Sequence, residues 1–284
     1  MRRTRALCLL ATATVGLTAL TACSAASKAT DKAAGAAKGA AVSVADAMSL
    51  TTRTTAQYTS MKMTETLPTL GTITSSGETS RSPFGARLTM SNPQLSKSLG
   101  SGSIQMMMNS TTMYMNLGAK GAAELGGKHW MKMDFASLGT AGKAISDEID
   151  KSNGQDPAAA VKLLTSSGDI KKVGQETVDG VPTTHYAGTV DVKKLEAQAG
   201  LSANVKALIS QAGQLGMTTE TVDMWINSHN LPVRVHETSS TSQGPVDITV
   251  DYSDYGTAPV TITPPPASDT LDYAALLKQA KAAG

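Results

Sequence analysis

Aromatic side chains are scarce in this sequence, with 2 Phe, 2 Trp and 6 Tyr among 284 residues. Aromatics normally supply much of the apolar area buried per residue, so aliphatic side chains and methionine, of which there are 14, must fill the interior. Cysteine is limited to Cys8 and Cys23. Charge is nearly balanced, 25 Lys and Arg against 23 Asp and Glu, for a formal net charge of +2. No Lys/Arg run is long enough to track a phosphate backbone, so nucleic acid is not an expected partner. Catalytic signatures are missing too: there is no Gly-x-Ser-x-Gly, no His-Glu-x-x-His and no glycine-rich loop leading into a helix. The four histidines, His129, His185, His229 and His236, have no standard metal-ligand spacing and read as surface or hydrogen-bonding residues. A non-enzymatic protein without cofactor or metal is the expectation.

What is present starts at the N-terminus. Met1 to Arg5 is basic and Ala6 to Leu20 is a chargeless apolar run, the pattern of a secretory signal and too short for a membrane span. The run ends in Leu20-Thr21-Ala22-Cys23, which resembles the bacterial lipobox, where cleavage precedes a cysteine that carries diacylglycerol and further acyl chains such as palmitate. Residues 1–22 are thus expected to be a lipoprotein signal peptide, Cys23 the lipidation site, and residues 23–41 a small-residue tether. Two or more acyl chains anchor stably, so the expected location is the extracytoplasmic face of the membrane. Losing Arg2, Arg3 and Arg5 takes the charge from +2 to −1 and leaves no free thiol for a disulfide or a thiolate metal site.

Residues 42–284 read as a single domain. A helix is predicted from Val42 to about Tyr58, with Ser43 as N-cap and Asp46 in the first turn. The period then changes to two, and six strand-like segments follow: Tyr58 to Leu67, Gly71 to Ser80, Ala86 to Ser91, Ser103 to Asn109, Thr112 to Leu117 and His129 to Phe135. Helices are predicted at Lys143 to Asp150 and Asp156 to Thr165, strands at Ile170 to Val178 and Thr183 to Val190, and a helical block at Val192 to Gly213. Met217 to Asn227, Leu231 to Ser239 and Val246 to Tyr255 complete the strands, and Leu271 to Lys278 is a last helix beyond Pro264-Pro265-Pro266.

Residues two apart on a strand share a face. Met61/Met63, Met106/Met108, Met113/Met115 and Met131/Met133 all have that spacing, and the register continues through Val222, Met224 and Ile226, and through Leu231, Val233 and Val235. Their neighbours are largely polar, so one sheet face is apolar and the other wet. Trp130 and Trp225 alternate against the apolar register, on the opposite side or at a rim. Flexible methionine in place of rigid Ile or Val suits a cavity that accepts variable apolar ligands. A rival reading is Cu(I) capture by thioethers around Met106-Met107-Met108, Met113 and Met115; burial on the strand face already explains that spacing.

Several phrases resemble the LppX/LprG group of actinobacterial lipoproteins. They are Val173 to Tyr186 (VGQETVDGVPTTHY), Val222 to Asn227 leading into Leu231 to Arg234, Val250 to Gly256, and Gly127 to Met133 (GKHWMKM). The resemblance implies a LolA-like α+β fold: a curved antiparallel sheet, an incomplete barrel, with helices covering its concave apolar face. It also implies lipid or acyl-chain carriage in a cavity between the two layers. The expected lining is Met106, Met108, Met113, Met115, Met131, Met133, Met224 and Val233. The competing expectation is a structural or sensory envelope lipoprotein with a closed core that binds a protein partner.

Overall fold

The computed structural model describes residues 43–67, 72–93, 102–152, 161, 164–165, 169–197, 209–210 and 212–282. The expected signal peptide, Cys23, the tether, most of the Asp156–Thr165 helix and residues 198–208 of the second helical block lie outside the described residues.

Helix α1 (Val44–Thr55) starts where the sequence places it. The Ser43 hydroxyl accepts from the Asp46 backbone N–H at 3.1 Å and donates to the Asp46 carboxylate at 2.6 Å, closing the first turn. Its buried positions, Met48, Thr51 and Thr55, lie three and four residues apart and so form one stripe. Six strands follow: β1 (Ser60–Leu67), β2 (Ile73–Arg81), β3 (Phe84–Ser91), β4 (Ser103–Asn109), β5 (Thr112–Asn116) and β6 (Trp130–Asp134). A short helix α2 (Gly118–Glu124) enters between β5 and β6, and α3 (Thr140–Ser152) follows β6. Then come β7 (Ile170–Val178), β8 (Val181–Asp191), α4 (Val192–Glu196), β9 (Thr219–Asn227), β10 (Pro232–Thr241), β11 (Gly244–Gly256), β12 (Thr270–Asp272) and α5 (Tyr273–Ala282).

The twelve strands among the described residues form one sheet in the order β12-β6-β5-β4-β3-β2-β1-β11-β10-β9-β8-β7. Two antiparallel meanders, β1 to β6 and β7 to β11, are joined through the β1–β11 ladder. β7 and β12 remain at opposite edges, so the sheet does not close. The architecture is the α+β incomplete barrel that the resemblance implies. The tail differs from its sequence reading: Thr270 to Asp272 pairs parallel with β6, which sets Leu271 beside Met131, and the last helix starts only at Tyr273. His129 likewise falls just outside β6, with its backbone N–H and ring Nδ1 both within 3.0 Å of Asp269 Oδ1.

Gly77 marks a close backbone approach between β2 and β3. It lies opposite Met63 and Leu88 with φ +156°, and a Cβ added there would run into the Arg87 carbonyl. Side chains are excluded by backbone, which cannot give way as a side-chain tip could. Gly77→Ala is expected to lower unfolding free energy by about 2 kcal/mol or more in a urea titration. An unchanged midpoint would show that the close approach of β2 and β3 is dispensable.

The core occupies one half of the sheet. Met61 and Met63 of β1, Tyr186 and Val190 of β8, Val222, Met224 and Ile226 of β9, Val235 of β10, and Val250 and Tyr252 of β11 cluster with Met48 of α1, Leu195 of α4, Val161, Leu164 and Ile209. The helices therefore cover the inner face of β1 and β8 to β11. No described residue of β3 to β6 belongs to this cluster.

Candidate functional site

Directly paired residues in a ladder share a face, so register alone maps the inner surface. Met63 pairs with Gly77, Gly77 with Leu88 and Leu88 with Met106; Met106 pairs with Met115, and Met115 with Met131. A second row runs Ala86, Met108, Met113, Met133. The six methionines of β4, β5 and β6 thus form two rows of three on the inner face, continuous with the core. All six are half-buried, in contrast to the core methionines Met48 at 1% and Met224 at 0% exposure. This half of the inner face is apolar surface outside the core cluster of the described residues, and α5 lies against β6 at its edge.

The structure therefore divides the eight residues expected to line a cavity. Met106, Met108, Met113, Met115, Met131 and Met133 come together on this wing. Met224 is sealed among Tyr186, Val235 and Val222. Val233 falls within a ladder irregularity, with Pro232 opposite Ile226 and Arg234 opposite Trp225. It is buried but outside the core cluster.

Three carboxylates share this inner face, and the sequence reading missed them. Glu65 pairs with Val250, Glu237 with Ile248 and Val222, and Glu220 with Val190. Burial among these side chains disfavours the charged form, raising Glu220 from 4.5 to about 7 and Glu237 from 4.5 to about 8; the charges of Glu220 and Glu65 raise Glu237 further. The signal was available: Glu65 is two residues from Met63, Glu220 two from Val222, and Glu237 two from Val235. These acids share the register of the apolar residues whose alternation marks the strands.

The outer face is polar and tightly bonded. His185 stacks on Trp225, with ring centroids 4.3 Å apart and planes at 14°. Its Nδ1 lies 2.9 Å from Glu176 Oε1 and its Nε2 2.7 Å from Asp223 Oδ1, while Trp225 Nε1 donates to Glu176 Oε2 at 2.8 Å. Carboxylates only accept, so both contacts are hydrogen bonds only when both ring nitrogens carry a proton. His236 and Asp247 pair at 3.0 Å on the same face, and Arg234 links Asp251 to Asp179. The partners of His185 are carboxylates rather than a nucleophile, and they hold it as a clasp across β7, β8 and β9. Trp130, like Trp225, faces away from the methionine rows.

Hydrogen bonds from Trp225 and then His185 hold Glu176 below the usual carboxylate range, and His129 does the same for Asp269. A depressed folded-state value contributes stability that is full above about 4.5 and is lost as pH falls through the lowered value. Thermal melts between pH 6 and 3 should show this loss, and Glu176→Gln should reduce its steepness. An identical acid limb in the variant would show that the clasp is energetically silent.

Among the described residues no group of three or more His, Cys, Asp or Glu is placed to hold a metal ion. No helix among them is long and apolar enough to cross a membrane.

No family model matches the chain. It is 42% identical over 186 residues to an uncharacterized 31.2 kDa protein from the rplA-rplJ intergenic region of Streptomyces griseus; the match covers 63% of this chain and 60% of that protein. It is 33% identical over 168 residues to a Streptomyces coelicolor protein provisionally named as a lipoprotein, covering 58% of this chain and 49% of that one. The chain thus spans about half to three-fifths of the curated relatives it matches. Structures similar to it include the mycobacterial lipoproteins LprF from Mycobacterium bovis and LppX from Mycobacterium tuberculosis. LprF is 16% identical with a TM-score of 0.49, covering 78% of this chain and 97% of that one. LppX is 14% identical with a TM-score of 0.43, covering 77% and 97%.

Proposed function

We propose that this protein is a membrane-anchored extracytoplasmic lipoprotein whose inner sheet face holds an apolar ligand, a lipid or acyl chain, for lipid carriage or envelope maintenance. The observation that carries this reading is the methionine wing: six half-buried, flexible apolar side chains on the inner face, outside the cluster that packs the core. An ordinary core would bury such residues, and a soluble surface would not concentrate them. The lipobox at Cys23 and the provisional name of the Streptomyces coelicolor relative support the location.

Binding would be driven by area removed from water, about 0.8 kcal/mol per buried methylene before ordering costs. Ligand chains would lie over Met106, Met108, Met113, Met115, Met131 and Met133, because Met224 has no surface left to offer. Titration with a fluorescent long-chain fatty acid tests the reading. Saturable binding with displacement by unlabelled lipid is expected; a linear, non-saturating signal would refute it. Attachment is tested separately, since Cys23→Ala should move the protein from the membrane to the soluble fraction.

A further inference from the structure

We propose that the two methionine rows of β4, β5 and β6 form a binding site for Cu(I), coordinated by thioether sulfurs. The sequence spacing alone is explained by burial in a core, but the structure sets these residues outside the core cluster of the described residues. These six side chains are half-buried, while the core takes its sulfur from Met48, Met61, Met63 and Met224. The ladders set Met106, Met115 and Met131 in one row and Met108, Met113 and Met133 in the next. Directly paired residues on one sheet face have Cβ atoms about 4.5–5.5 Å apart, within reach of side chains with three rotatable bonds. Two sulfurs from neighbouring strands of a row can therefore approach one ion.

The donor set selects the ion. Thioethers are soft and neutral, and soft sulfur ligands select Cu(I) over Mg²⁺, Ca²⁺ or Mn²⁺, which need oxygen. Residues flanking the rows on the same face are apolar: Leu88 and Ala86 on β3, Ile104 on β4 and Leu271 on β12. A monovalent ion entering such surroundings meets a smaller desolvation penalty than a divalent one. The step is coordination only, with copper entering and leaving as Cu(I). This site shares the surface assigned above to an acyl chain, but it rests on sulfur chemistry and not on apolarity, so the two can be separated.

Leucine matches methionine in volume and lacks the sulfur, which makes the separation direct. In a full-length chain carrying Cys8→Ser and Cys23→Ser, to remove thiols, Cu(I) would be titrated under reducing conditions against a chromophoric competitor. Replacing all six methionines by leucine should lower Cu(I) affinity at least tenfold while the cooperative melting transition is retained. Equal Cu(I) affinity in the two chains would overturn the proposal. A measurement on the unsubstituted methionines does not depend on the variant folding. With ¹³C-labelled methionine methyls, Ag(I) as a redox-inert surrogate should shift resonances of the row methionines and spare Met48 and Met224. No shift among the row methyls at saturating Ag(I) would equally overturn it.

Discussion

Replacing Met115 and Met131 by glutamine is expected to weaken acyl-chain binding at the proposed ligand face without unfolding the protein. The two side chains pair directly across β5 and β6, are half-buried and lie outside the packed core. Glutamine keeps the length of methionine but carries an amide that prefers water, so each substitution removes apolar area from the ligand surface while the amide stays hydrated in the empty protein. Acyl-chain affinity should fall about tenfold or more, equivalent to about 1.4 kcal/mol, and the melting temperature should move little. Met224→Gln is the contrast. At 0% exposure its amide would be stranded among Tyr186, Val222 and Val235, costing about 3 kcal/mol or more from lost burial and an unmet hydrogen bond. Fluorescence titration and thermal melting of both variants check this. The reverse ranking, with Met224 affecting binding alone and the wing affecting stability, would show that the two halves of the sheet have been assigned the wrong way round.

The second large effect concerns pH on the alkaline side. Glu220 and Glu237 are pushed up to about 7 and about 8 by burial among apolar side chains, and Glu237 also by the Glu220 and Glu65 charges. Between pH 5 and 9 the folded chain keeps protons that the unfolded chain releases near 4.5, so stability falls as pH rises through this window. The His236 charge opposes the upward displacement of Glu237 only in part. A loss on the order of a few kcal/mol is expected, given about 1.4 kcal/mol for each tenfold change in proton affinity. Glu237→Gln should flatten the slope and leave the variant more stable than the parent at pH 9. Urea titrations across pH 5 to 9 measure it, and parallel curves for the two proteins would contradict the placement of Glu237 on the inner face. With the acid loss assigned to Glu176 and Asp269, stability should peak near pH 5.

Much of the fold was legible because period and caps are local properties. Ser43 and Asp46 announced the first helix, and strand limits such as Ser103–Asn109 and Ile170–Val178 follow from alternation and turn residues. The face carrying the methionines was legible for the same reason, since alternation needs no knowledge of partners. Strand pairing was not, and it decided what the site became. Whether Met106 and Met224 belong to one environment depends on how the β1–β11 ladder joins the two meanders, and on where the helices settle. The ladder irregularity between Pro232 and Arg234 was also invisible, because an extra residue in one strand leaves no mark in the alternation. β12 was invisible because three residues gain strand character only from lying beside β6. The clasp of Glu176, His185, Asp223 and Trp225 draws on three strands separated by up to 49 positions, and no local pattern marks it.

That the inner face of this open sheet holds an apolar ligand is tested most directly by native mass spectrometry. The chain would carry Cys23→Ala, be purified without detergent and then be extracted with organic solvent. A discrete mass increment near one equivalent, released as an acyl-bearing lipid and reduced by Met115→Gln with Met131→Gln, is the predicted result. A mass matching the bare polypeptide, with no extractable lipid and no uptake after incubation with lipid, would contradict the claim.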